Sequence, residues 1–191
     1  MPDKLLKGFS LTMTIAFIDK HYTHEQREKI HARLTPELKN VTPTLKPGDW
    51  YPIAYQTQLL RAMASVADDA EAAHASAVAL GRFMSDQASN TFMRLLFKVL
   101  TPLIFLRKAP AVWGRMFNFV RFEVDTTDYE NNHAAMLMYE VDGFDYVAPV
   151  SEGWIATMFE SVRCKNVAVH ATDLEAGTVR GAAYKFDIRW T

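Results

Sequence analysis

The sequence lacks several features that would assign it to a particular class of protein. Its one cysteine, Cys164, cannot form an internal disulfide, which fits a reducing cytoplasm. Its formal net charge is −1, and no basic excess indicates nucleic acid or an anionic membrane as a partner. No run approaches the ~20 apolar residues that a transmembrane helix needs. We therefore expect a cytoplasmic protein with no transmembrane segment and no nucleic-acid partner.

Motifs for catalysis or cofactor binding are missing as well. The sequence has no glycine-rich phosphate loop, no G-x-S-x-G and no nucleotide fingerprint. His24 and His31 are too widely spaced for the close ligand pair that metal sites use. Cys164 and His170 would lie ~20 Å apart on one strand, too far for a nucleophile and its base. We predict no catalytic residue, no metal ligand and no cofactor.

What the sequence does contain is a clear strand at its C-terminal end. Apolar and polar residues alternate strictly there, which is the pattern of a half-buried strand. One face carries Ala182, Tyr184, Phe186, Ile188 and Trp190. Further strands are predicted at 117–126, at 134–142 and from Val167 to Ala171, with a helix at 151–163.

The predicted fold class is α+β, in a single domain over residues 1–191. Residues 1–112 form a helical half, and residues 113–191 form a β-β-α-β-β half. The helical half packs on a four-stranded antiparallel sheet with one crossing helix, because the apolar face of the sheet needs a cover.

Local signals place the helices of the N-terminal half. The segment 3–19 is predicted as a helix with an apolar stripe of Leu5, Phe9, Thr12, Met13 and Ala16. Thr23 and Gln26 have the spacing of a capping box. Further helices are predicted at 53–67 and 70–88, and Trp50 and Tyr51 are predicted to lie in a loop.

Asn90 is interpreted as the cap of another helix, which Pro102 bends or ends. Pro110 is interpreted as a turn that leads into the sheet. Cations flank the apolar stretch 91–108, which would also fit a helix lying at a membrane surface. Burial is favoured, because the sheet needs a cover.

The strand at 134–142 is apolar on both faces. One helical layer can cover only one face of a sheet fully, so Met136 and Met138 would need either a ligand or a second chain. A homodimer is therefore predicted.

Two parts of the sequence resemble a known family. The first part is LTPELK and LKPGDWYPIAYQTQLLRAMA, with the later LGRF. The second is LTPLIFLRKAPAVWGRMFNFVRFEV, SEGWIATMFESVRCKNVAV and RGAAYKFDIRW. Together they resemble an uncharacterised family of paralogues common in myxobacteria. That family is more distantly similar to the 4-vinyl-reductase-type domain and to the haem nitric-oxide/oxygen-binding (H-NOX) domain.

The resemblance covers most of the chain and implies a fold that holds a small molecule or acyl chain between helices and sheet, or serves in assembly. Two departures from the pattern limit it. Tyr184 stands where such families often carry the Cys of a Gly-x-x-Cys pattern that would begin at Gly181. The stretch 105–118 has no axial His, and no Tyr-x-Ser-x-Arg occurs anywhere. Haem is therefore disfavoured.

The predicted function is a non-enzymatic sensor or carrier domain that holds a small apolar ligand between the helices and the sheet. The alternative is a protein-interaction or dimerisation module with a filled core, and a third option is an enzyme of unrecognised type. Small-ligand sites are concave, mostly apolar and set between packed layers. The candidate ligand-binding residues are Phe97, Leu100, Trp113, Phe117, Met136, Trp154 and Met158.

Overall fold

The structure is a computed structural model that describes residues 3–88, 101–174 and 183–191. These residues form seven α-helices and two antiparallel sheets. The helices are α1 Gly8–His21, α2 His24–Ala32, α3 Pro36–Val41, α4 Ile53–Ala64, α5 Ala70–Ala88, α6 Pro102–Met116 and α7 Val147–Ser161. The strands are β1 Leu5–Lys7, β2 Trp50–Pro52, β3 Arg121–Asp125, β4 His133–Tyr139, β5 Ala168–Leu174 and β6 Ala183–Arg189.

The main sheet has the strand order β3-β4-β6-β5, and every neighbouring pair is antiparallel. Its register places Val124, Met136, Phe186 and Ala171 in one row across the four strands. Phe186 and Ile188 are fully buried on the covered face, while Lys185 and Arg189 are exposed on the other. The α+β fold class and the alternation of the last strand are thus confirmed.

Met136 and Met138 lie on the covered face of β4 and are 0% and 1% exposed within the single chain. Their burial needs no second chain. The homodimer stays a prediction, but these two side chains no longer supply a reason for it.

Helices α5 and α7 cross at a contact between backbones. A Cβ atom on Gly81 of α5 would overlap the carbonyl oxygen of Val150, and a Cβ on Gly153 of α7 would overlap that of Val78. Only glycine permits so close an approach of two helices. This contact fixes α7, which connects β4 to β5, against the helical layer.

The prediction of one helix over 3–19 was wrong at its start. Residues Leu5–Lys7 pair with Trp50–Pro52 as the small sheet β1-β2, and α1 begins only at Gly8. The N–H groups of Gly8 and Phe9 donate to the carbonyl oxygens of Asp49 and Pro47, each at 2.9 Å. These bonds satisfy donors that the first turn of a helix leaves without partners.

The predicted stripe of this first helix was also misplaced. The buried hydrophobic residues of α1 are Leu11, Phe17 and Ile18, and the buried Thr14 lies among them. A threonine can occupy this face because its hydroxyl is hydrogen-bonded within the helix. The capping box of Thr23 and Gln26, in contrast, is confirmed.

Pro110 does not form a turn. It lies inside α6, which runs to Met116, so the expected boundary between residues 112 and 113 falls within a helix. Pro102 begins this helix after the cap Thr101, at a position where the missing N–H has no partner to lose. The buried side chains Phe105, Ala109 and Trp113 share one face, and their packing outweighs the hydrogen bond lost at Pro110.

The helix predicted at 151–163 begins one turn earlier, at Val147. Pro149 lies in its first turn, where a backbone N–H is not needed. The helix predicted from Asn90 lies mostly outside the described residues. Across the described ranges, no helix is both long enough and apolar enough to cross a bilayer.

Candidate functional site

A cavity of about 270 Å³ lies among five helices, α1, α4, α5, α6 and α7, and the loops that adjoin them. Its apolar lining residues are Phe9, Leu60, Met84, Ala88, Phe105, Val112, Trp113, Met116, Phe117, Phe144, Val147, Val150, Trp154 and Met158. Its polar lining residues are Ser10, Gln56, Lys108 and Ser151. A mostly apolar lining with a few polar groups is typical of a site for a small molecule.

Two tryptophans on facing helices contact each other in the lining. The ring centroids of Trp113 on α6 and Trp154 on α7 are 4.2 Å apart, and the rings meet edge to face. Trp113 also contacts Phe122 of β3, at a centroid distance of 4.8 Å. This last contact connects the cavity to the covered face of the sheet.

The polar groups of the cavity differ in burial. Gln56 on α4 is 2% exposed, and its Nε2 donates to Thr14 Oγ1 at 2.8 Å. Thr14 Oγ1 in turn donates to the carbonyl oxygen of Ser10 at 2.8 Å. The Gln56 Oε1 atom is buried and has no hydrogen-bond partner. Lys108 is exposed and is the only formally charged residue in the described lining.

The structure brings together four of the predicted site residues. Trp113, Phe117, Trp154 and Met158 all line the cavity. Met136 does not line the cavity. It lies on the covered face of the main sheet, next to Phe186 of β6, where it is fully buried. The cavity therefore lies among helices, and the described strands add no lining residue. Phe97 and Leu100 lie outside the described residues.

Sequence reasoning missed the polar side of the cavity, above all Gln56. A signal for it was present in the sequence, since Gln56 lies at helical spacing from Leu59, Leu60 and Met63, the apolar residues of the buried face of α4. A polar residue on the buried face of an amphipathic helix is an informative departure from the pattern. Ser10 carried no such signal, because the apolar stripe of α1 was misplaced.

Two reactive groups elsewhere in the described residues, Cys164 and Glu152, are in environments that do not suit catalysis. Burial raises the pKa of the Cys164 thiol to about 11, so it is not a thiolate at neutral pH. Glu152 of α7 is buried, but its two oxygens are taken by His74 Nε2 at 3.0 Å and by the N–H of Ala171 at 2.6 Å. No group of three or more potential metal ligands occurs in the ranges that the structure describes.

A second hollow, of about 700 Å³, lies at the surface between α2 and the turn after α4. Four of its polar residues are already engaged. Thr23 and Gln26 form the capping box, and Lys29 donates to Glu25 at 2.7 Å. An open, mostly polar surface gives little basis for specific binding of a small molecule, so the apolar cavity is the candidate site.

No protein-family model and no curated protein matches this sequence. Solved structures do match in three dimensions. An H-NOX protein from K. algicida, in the Fe(II) unliganded state, has a TM-score of 0.71 at 14% identity, covering 97% of each chain. An H-NOX protein from S. oneidensis, in the Fe(II)NO ligation state, has a TM-score of 0.68 at 9% identity, covering 97% of this chain and 99% of that one.

A mutant H-NOX protein from T. Tengcongensis has a TM-score of 0.64 at 13% identity, covering 97% of this chain and 98% of that one. The chain has an H-NOX-like fold. Identities this low establish the fold alone, and the match extends over nearly the whole chain. The resemblance to H-NOX domains predicted from the sequence is thereby confirmed at the level of structure.

The H-NOX-like fold implies a haem, and the residues of this cavity do not fit one. Protein ligation of haem iron uses a His, a Cys thiolate, a Tyr, or a Met together with a His. The described lining contains no His, Cys or Tyr, and the sequence of residues 89–100 contains none either. Lys108 is also the only cation in that lining available to haem carboxylates. The described lining therefore does not offer the axial ligand that haem iron needs.

Proposed function

We propose that this chain is a non-enzymatic sensor or carrier domain that binds a small apolar molecule in the cavity among α1, α4, α5, α6 and α7. The observation that carries the proposal is the cavity itself, about 270 Å³ in volume and lined mainly by apolar side chains. It includes Trp113, Phe117, Trp154 and Met158, four of the seven residues that the sequence singled out for this role.

The volume of the cavity supports the presence of an occupant. Protein interiors are close-packed, and the few voids they contain are small. At about 270 Å³, this cavity is larger than such voids. An apolar cavity of only ~150 Å³ is enough to bind benzene. A ligand that fills the cavity would recover much of the lost packing.

The lining residues also suit an organic ligand of variable shape. The two tryptophans present flat apolar surfaces, and Met84, Met116 and Met158 have flexible side chains that adapt to a guest. The structurally similar H-NOX proteins include one described in a Fe(II)NO ligation state, so this fold hosts ligands in other chains. Here the missing axial ligands favour an organic molecule over haem.

The proposal is tested by titrating the purified protein with naphthalene and following tryptophan fluorescence. Saturable binding is expected, because Trp113 and Trp154 lie in the lining. Val112→Trp should weaken binding at least tenfold, since Val112 is a half-buried lining residue. Val66→Trp is the matched control at a half-buried residue outside this cavity and should leave binding unchanged.

Absence of saturable binding to the wild-type protein would reject the proposal. An interaction module with a filled core would then be the better interpretation of this chain.

A further inference from the structure

The orientation of the Gln56 side-chain amide is fixed by its neighbours. The single hydroxyl hydrogen of Thr14 is committed to the carbonyl oxygen of Ser10. Thr14 Oγ1 can therefore only accept from Gln56, so the amide nitrogen must face Thr14. The other end of the amide, Oε1, is left as an acceptor.

That acceptor has no hydrogen-bond partner among the residues that the structure describes. Gln56 is 2% exposed and lines the cavity, and Oε1 is buried without a partner. Burying a carbonyl oxygen without a hydrogen bond is unfavourable, and most buried polar atoms in proteins are paired. Because Thr14 holds the amide in place, a donor that reaches Oε1 meets an acceptor that is already oriented.

We propose that the ligand of this cavity is a compact apolar molecule with one neutral hydrogen-bond donor, a hydroxyl or ring N–H, that donates to Gln56 Oε1. This inference rests on the proposed function. The donor is neutral because the described lining offers no carboxylate to pair with a cation, and an unpaired buried charge is strongly unfavourable. Phenols, alcohols and indole-like heterocycles belong to this class.

Three probes of the same shape separate the donor from the apolar surface. 2-Naphthol carries a hydroxyl donor, 2-methoxynaphthalene keeps the oxygen but cannot donate, and naphthalene has no polar atom. Titration of the wild-type protein should show that 2-naphthol binds about tenfold tighter than either other probe, the effect of one hydrogen bond. Partition out of water alone would favour the two less polar probes, so this preference cannot arise from apolarity.

Gln56→Met removes the acceptor while keeping the length of the side chain. We expect this variant to lose its preference for 2-naphthol, so that 2-naphthol and naphthalene bind to it with similar affinity. If the variant does not fold, the three-probe comparison on the wild-type protein still decides the matter.

Each outcome has a separate meaning. Equal affinity of wild type for all three probes overturns the donor inference, since a water molecule would then satisfy Oε1, and leaves the proposed function standing. A preference for 2-naphthol that persists in Gln56→Met also overturns it. Failure of all three probes to bind rejects the proposed function itself.

Discussion

His133, at the start of β4, is held between two carboxylates. Its Nδ1 lies 2.8 Å from Asp128 Oδ2, and its Nε2 lies 2.9 Å from Asp187 Oδ2. Both ring nitrogens can donate only when the imidazole is protonated. The hydrogen bond to Asp187, with that to Asp128, raises the pKa of His133, and the bond from His133 lowers the pKa of Asp187.

These shifts predict how stability depends on pH. The stabilisation from a raised histidine pKa is fully present below the unfolded value of ~6.5 and is lost as pH rises through the higher folded value. The stabilisation from Asp187 is present above ~3.9 and is lost as pH falls through its lower folded pKa. His133→Gln should therefore reduce the melting temperature most near pH 5 and least above neutral pH.

Thermal unfolding followed by circular dichroism between pH 4 and pH 9 measures this effect. His31→Gln, at an exposed residue of α2, is the matched control for the loss of a histidine side chain. A melting-temperature difference between His133→Gln and wild type that does not vary with pH would contradict the prediction. The exposure of Asp128 limits the size of the effect, because solvent screens such pairs.

Single residues could be predicted from the sequence where size and apolarity decide their position. Trp113, Trp154 and Met158 met these conditions, and all three line the cavity. Met136 is just as large and apolar, but its position in the β4 register places it inside the sheet layer. Gln56 was missed because its role depends on Thr14, a partner 42 residues away in the sequence.

At the level of elements, the crossing of α5 and α7 depends on two glycines. Gly81→Ala would place a methyl group against the backbone of Val150, which cannot move aside as a side chain could. We expect it to lower the free energy of unfolding by at least ~2 kcal/mol, the cost of overpacking a tight contact. Chemical denaturation measures this change.

Gly114→Ala provides the control in the same kind of element. Gly114 lies in α6, and a Cβ atom added to it would point into open space, so the substitution introduces no clash. Because alanine favours the helix over glycine, this variant should gain up to ~1 kcal/mol of stability. Equal losses in both variants would show that the α5–α7 contact has no special role.

Elements could be predicted where a local pattern is long enough to show a period. The alternation of β6 continues over its whole length, and the capping box before α2 is a local signal. β1 and β2 have three residues each, too few to show alternation. They form because two segments that are distant in the sequence pair with each other in the folded chain. Pro110 in α6 is the opposite case, in which packing overrides a strong local signal.

For the molecule as a whole, the prediction concerns haem. Protein expressed with a supply of haem should show no Soret band at stoichiometric intensity, because the cavity lacks the axial ligands that haem requires. Absorption spectroscopy with iron analysis of the purified protein measures this. A stoichiometric band that persists through gel filtration would mean that a residue outside the described lining ligates iron.

If the proposed function holds, the close contact of α5 with α7 at Gly81 and Gly153 also limits which ligands the cavity can admit. Helices α5 and α7 supply Met84, Val150 and Trp154 to the cavity. No side chain lies between their backbones at Gly81 and Gly153, so no side-chain movement can adjust the distance between these helices. This side of the cavity is therefore fixed in position. Helix α6 also lines the cavity, and because it lacks one backbone hydrogen bond at Pro110, it bends more easily than an uninterrupted helix. The thickness of a ligand in the proposed site would therefore be limited on the α5–α7 side, where the absence of a side chain at both glycines sets the position of the two helices.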